Sequence, residues 1–143
     1  MTNKLSKQLL TAYLETDYII DDSIGLWQIN INDTDRSLSK YLHTFDKPCA
    51  AFITAHNPMS KRLSEKENKK RHQQLLSLLK QQGVNALNGY GIGATGDWPK
   101  EDSVFLTNVD QAQASQIAKK FNQAAYVWVN EKGEVTLITY DKY

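Results

Sequence analysis

Cys49-Ala50-Ala51-Phe52-Ile53-Thr54-Ala55 is a nearly continuous apolar run of seven residues. A half-buried strand would alternate polar and apolar residues. This run does not, so it suits a strand covered on both faces and central in a sheet. Downstream, Ser64 and Glu67 form the S-x-x-E signature of a helix start, and Gly83 is a natural helix stop. A strand, a loop over His56–Leu63 and a helix over Ser64–Gln82 therefore follow one another.

Working outward, Leu5–Glu15 reads as a short helix, Tyr18–Ile20 as a short strand and Leu26–Ile31 as an alternating strand. Asp33 and Thr34 are candidate caps for a helix over Arg36–His43. Val84–Gly96 is glycine-rich and is expected to pair only in part. Ser103–Thr107 reads as a strand, and Asp110 caps a helix with Ala114, Ile117, Ala118 and Phe121 on one stripe. Ala125–Val129 and Val135–Tyr140 flank a turn in which Gly133 can take the left-handed position. Pro48, Pro58 and Pro99 fall between these elements. The reading is α+β: a single mixed, largely antiparallel sheet with helices packed on it, in one domain over residues 1–143.

The chain has 143 residues, 17 Lys and Arg against 16 Asp and Glu, and a formal net charge of +1. That balance makes nucleic acid an unlikely partner. The single cysteine, Cys49, excludes an intrachain disulfide and an all-cysteine zinc site. In a run of small apolar residues its thiol is expected to be unreactive. His43, His56 and His72 lack paired-ligand spacing, so no metal is expected. No cofactor signature is present either. Gly91, Gly93 and Gly96 spell G-x-G-x-x-G, but Asp97-Trp98-Pro99 follows where a dinucleotide site needs a helix. No apolar run approaches a membrane span, and the N-terminus lacks a signal-peptide core, so a cytoplasmic protein is expected.

The long helix carries the most information. Leu75, Leu76, Leu78 and Leu79 define its inward stripe, and Asn68, Arg71 and His72 lie on that stripe nearer the N-terminus. Lys66, Lys69, Lys70, Gln73 and Lys80 lie opposite. Inward Asn and Arg need partners, either in a structural network or in a polar pocket at the end of the Cys49–Ala55 strand. The loop before the helix supplies His56, Asn57, Ser60, Lys61 and Arg62 close to a helix N-terminus, a setting for a small anionic ligand. Trp98, in a glycine-rich loop, is placed to cover such a pocket, and Glu101 is the candidate acid or base. Charge is also uneven. Lys61–Lys80 holds seven Lys/Arg against two Glu, and Glu15–Asp46 holds seven Asp/Glu against two Lys/Arg. Opposite poles fit a protein partner or self-association, but solvated faces are the preferred explanation.

One combination of motifs is familiar. Phe52-Ile53-Thr54-Ala55-His56-Asn57-Pro58 with Ser60, Leu63-Ser64, Glu67-Asn68 and Arg71 comes first. Gly96-Asp97-Trp98-Pro99 with Glu101 and Ser103 follows, then Ala118 and Phe121-Asn122-Gln123-Ala124-Ala125. Together they resemble the bacterial family catalogued as domain of unknown function 3293. The resemblance covers about Cys49–Val129 and implies a small stand-alone protein without a settled activity. It adds Gln123 to the candidate positions. The candidate ligand-binding set is thus Asn57, Ser60, Asn68, Arg71, Trp98, Glu101 and Gln123. Three functions remain open: a module binding a small anionic or nucleotide-like ligand, an enzyme with Glu101 as acid or base and Arg71 as anion clamp, and an interaction protein whose polar cluster is structural.

Overall fold

A computed structural model describes residues 6–58, 61–93 and 100–139. In chain order the elements are α1 (Lys7–Leu14), β1 (Asp17–Asp22), β2 (Gly25–Ile29), α2 (Arg36–Leu42), β3 (Ala50–Thr54), α3 (Glu65–Gln82), β4 (Asn85–Ile92), β5 (Glu101–Thr107), α4 (Gln111–Lys120), β6 (Ala125–Val129) and β7 (Val135–Thr139). The strands form one sheet of order β2-β1-β4-β5-β3-β6-β7. Every pairing between them is antiparallel.

The apolar run behaves as its composition requires. Ala51 and Ile53 face a core beneath α3 and α4, with Leu75, Leu79, Ile117 and Ala118. Ala50 and Phe52 face a second core beneath α2, with Leu38, Leu42, Phe105 and Val127. Strand β3 sits between β5 and β6 in the register Ala51↔Leu106 and Ala51↔Trp128. From β3 to β6 the order β-α-β-β-α-β, with β5 inserted between β3 and β4, is that of ferredoxin-like split β-α-β units. Hairpin β1–β2 extends the sheet beyond β4, and β7 extends it beyond β6.

The sheet curls enough for its edges to approach. Beyond β2, Thr34 bridges Glu134, the Asn32 N–H donates to the Val135 carbonyl (2.8 Å) and the Asp35 N–H to the Gly133 carbonyl (2.9 Å). Gly133 has φ 81°, and a Cβ there would lie 2.2 Å from the Asp35 carbonyl oxygen, so the turn closes on glycine alone.

Local signals set the helix ends. The Ser64 hydroxyl accepts from the Glu67 N–H (3.2 Å) and donates to the Glu67 carboxylate (3.0 Å). Gly83 ends α3 at φ 67°. Asp110 caps α4 by accepting from the Gln113 N–H at 2.8 Å.

Two expectations change. Asp35, not Asp33 or Thr34, caps α2 by accepting from Leu38 N–H at 2.9 Å. Cys49 precedes β3 and is partly exposed rather than mid-strand. The glycine-rich stretch pairs with β5 over Asn85–Gly91 and with β1 over Gly89–Ile92. Its glycines are fitted to close neighbours: a Cβ on Gly89 would lie 2.5 Å from the Ile19 carbonyl oxygen and 3.0 Å from the Phe52 ring. Ser60, Trp98 and most of the loop expected to close over the pocket lie outside the described residues.

Candidate functional site

The chain leaves β3 through Ala55-His56-Asn57, and this exit is fixed by side chains. Asn57 has φ 49°, a left-handed conformation that asparagine tolerates better than most residues. Its N–H donates to Asn68 Oδ1 (2.9 Å), and its Oδ1 accepts from Asn68 Nδ2 (2.9 Å) and from the Leu63 N–H (2.8 Å). With Oδ1 so engaged, Nδ2 must point the other way, where it meets Glu101 Oε2 at 2.5 Å. Asn57 and Asn68 are both buried. The inward Asn68 of the helical wheel is therefore a loop-fixing group.

Arg71 has the same kind of role. Its Nε donates to the Ala55 carbonyl (2.7 Å), its Nη2 to the Phe121 carbonyl (2.5 Å), and the guanidinium lies 5.9 Å from the Phe121 ring centroid. It joins the end of β3 to the end of α4. Burial lowers its pKa, but the carbonyl bonds need only its N–H groups. Gln123 completes the frame: Nε2 donates to the His56 carbonyl (3.0 Å) and to the Phe121 carbonyl (3.4 Å).

Glu101 faces elsewhere. On β5, residues 101, 103 and 105 share the sheet face that carries Phe52 and Thr54, and beside them a cavity of about 610 Å³ opens beneath α1. Glu101, Asn57, His56, Gln123, Ser103 and Thr54 form its polar end. Tyr18, Phe52, Ala125 and Val127 form much of its apolar floor. Gly91 also lines it, and a Cβ there would meet the Thr16 methyl at 3.4 Å and Tyr18 at 3.9 Å. Helix α1 is the opposite wall. None of its residues is buried, and Leu10 and Leu14 are each 40% exposed. It is joined to the sheet through the Tyr18 hydroxyl, which donates to the Tyr13 carbonyl (2.9 Å), and through Asn30 Nδ2, which donates to the Thr16 carbonyl (3.2 Å). Tyr18 is buried, and burial pushes its phenol far above the usual range, so it stays protonated.

The structure thus divides the expected set. Asn57, Glu101 and Gln123 line the cavity; Asn68 and Arg71 stand behind it and do not. No Lys or Arg occurs among its described lining residues. Thr54, Ser103, Tyr18 and Gly91 join the site although none was in the expected ligand-binding set. Their signal is a shared strand face, visible only once register is known.

His56 packs edge-on against His72, ring centroids 6.0 Å apart and planes at 88°. His56 Nε2 and His72 Nδ1 are buried without a hydrogen-bond partner among the described residues. Burial lowers both pKa values, opposed by the Asp102 carboxylate; the Arg71 charge and His72 lower His56 further. Both rings are neutral at pH 7. No cluster of three potential metal ligands occurs among the described residues. No described helix is long and apolar enough to cross a membrane.

Residues 53–126 match the family described as "Protein of unknown function (DUF3293)". The chain belongs to that family. The DUF3293 match runs from the end of β3 into β6, so it contains the Asn57–Glu101–Gln123 end of the cavity and stops short of α1. No curated protein and no solved structure matches the chain significantly.

Proposed function

We propose that this DUF3293 protein binds a small organic molecule in the cavity between α1 and the sheet, with an apolar body over Phe52, Tyr18 and Val127 and a polar end at Glu101 and Gln123. The observation that carries the reading is the cavity itself. A volume of about 610 Å³ lies in the usual range for small-molecule sites, and polar groups converge at one end of an apolar floor. An anionic ligand, expected from the donors of the loop before the long helix, finds no described cation on this wall. The Arg71 donors already serve carbonyls.

A second reading, an enzyme working in the same cavity, rests on Glu101, a partly buried carboxylate on the cavity wall where an acid or base can act. Turnover of a bound compound would distinguish it from simple binding.

The test is ligand discovery on two proteins. Gly91→Leu sends a side chain into the cavity while its Cβ meets only ordinary contacts. A compound library screened by thermal shift and NMR is expected to give binders for the native chain that Gly91→Leu rejects with its fold intact. Binders that Gly91→Leu retains at full affinity would place the site elsewhere.

A further inference from the structure

Helix α1 is held differently from the other helices, and this deepens the reading above, on which it rests. Among the described helices it alone buries no residue. Leu9, Ala12 and Tyr13 form its apolar stripe. With Gln8, Thr11 and Glu15 beside them, they face the cavity and not a packed core. Leu9 and Tyr13 are only half-buried. A short helix draws most of its stability from packing such a stripe, and one of 8 residues is marginal in water without it. The end charges do not compensate. Lys7 stands at the positive end of the helix and Glu15 at the negative end, each the wrong sign for the macrodipole. What starts the helix is its cap, the Ser6 hydroxyl accepting from the Leu9 N–H (3.1 Å).

The ties of α1 to the sheet all lie at one end. The Tyr13 carbonyl accepts from the Tyr18 hydroxyl and the Thr16 carbonyl from Asn30 Nδ2, which also donates to the Asp17 carboxylate (2.7 Å). Among the described residues, the hydrogen bonds of residues 6–12 stay within the segment 6–16. The helix is thus a cavity wall anchored at residues 13–17 and unattached along its first turns. From this arrangement we infer that α1 is the gate of the cavity: residues 6–12 lift from the sheet about a hinge at 13–17 to admit the ligand, and the ligand's apolar body, packed between Leu9 and the Phe52 floor, holds them closed. The ligand favours closure because only the closed state contacts it from both sides, and that difference in contact is what shifts the equilibrium.

Amide hydrogen exchange on the full chain tests this, with and without a neutral apolar probe, N-phenyl-1-naphthylamine, whose binding is followed by its fluorescence. In the free chain the amides of residues 10–14 are expected to exchange within about tenfold of an unstructured chain, whereas those of β3 are slower by more than about a thousandfold. A bound probe suppresses opening by a factor of one plus the ratio of free probe to Kd, so probe at about ten times its Kd should slow the α1 amides about tenfold. Leu10→Pro breaks the helix at an exposed position. It should weaken probe binding about tenfold or more while the sheet unfolds at nearly the native denaturant midpoint. Amides of α1 as slow as those of β3 in the free chain, or unchanged by bound probe, overturn the gate and leave the cavity reading standing. A Leu10→Pro chain that loses the sheet along with α1, or that binds the probe as the native chain does, also overturns the gate alone. No probe binding to the native chain, or full binding retained by Gly91→Leu, overturns the cavity reading and the gate with it.

Discussion

Replacing Arg71 with alanine separates a structural guanidinium from a ligand clamp. The side chain donates to the Ala55 and Phe121 carbonyls, and Ala55 and Phe121 are themselves buried. A hydrogen bond from a charged donor contributes about 1.5–3 kcal/mol, and a buried acceptor left unsatisfied carries a penalty of about 1–3 kcal/mol. The guanidinium is only part-buried and the Phe121 carbonyl keeps its Gln123 donor, so water and Gln123 partly replace it and the lower ends apply. Two such bonds then give a loss of about 2–4 kcal/mol. For a domain of this size that corresponds to a fall in melting temperature of roughly 5–15 °C. Urea unfolding followed by circular dichroism measures it, with the slope m unchanged if the folded state keeps its compactness. Arg71→Lys should lose nearly as much, because one ammonium cannot span two carbonyls as a planar fork does. A change below about 0.5 kcal/mol for Arg71→Ala would refute the structural assignment and return Arg71 to the candidate ligand groups.

Gly89→Ala should destabilise by about 1–3 kcal/mol, the range for overpacking, because its Cβ would press on the Ile19 carbonyl and the Phe52 ring; a melting curve identical to the native chain's would contradict the β1–β4 approach. Burial lowers the His56 and His72 pKa values below their ordinary 6.5. The unfolded chain therefore takes up protons first on acidification, and stability should fall as the pH drops below about 6.5. His56→Gln and His72→Gln should each flatten that dependence in denaturant titrations across pH 5–8 (about the range in which histidine titrates); an unchanged slope would show that neither ring is protected. The Cys49 thiol is pushed up by burial and by Glu131. Its alkylation at pH 7 should be slower than that of an unstructured thiol and should quicken with rising pH, whereas immediate labelling would show an activated thiolate.

How far the sequence could be read depended on where each signal lies. Caps and stops are local, so Ser64, Gly83, Asp110 and Gly133 were legible from neighbours alone. The run Cys49–Ala55 announced a central strand because Thr54 alone interrupts its apolar residues. Strand β4 was hidden because Gly89 and Gly91 occupy its inward face, where a period-two pattern would place large side chains. Asn68 and Arg71 were rightly read as facing inward. Their partners were beyond reach, since a backbone carbonyl has no sequence signature and the Ala55 and Phe121 acceptors follow only from the packing of α3 and α4. The cavity was equally hidden. It exists because α1 crosses the face where residues of β3, β5 and β6 meet, and no spacing within one segment encodes that crossing.

The interleaving of strands also bears on how this chain is made. Strand β3 holds the least polar stretch of the sequence, yet its two neighbours are β5 and β6, paired through Leu106 and Trp128. A chain growing from its N-terminus exposes β3 long before either neighbour has been synthesised. Hairpin β1–β2 can close at once, but it joins the sheet through β4, not through β3. The most aggregation-prone edge of the nascent protein is therefore its eventual centre, and its protection on the ribosome must come from outside the fold or from rapid completion of β5.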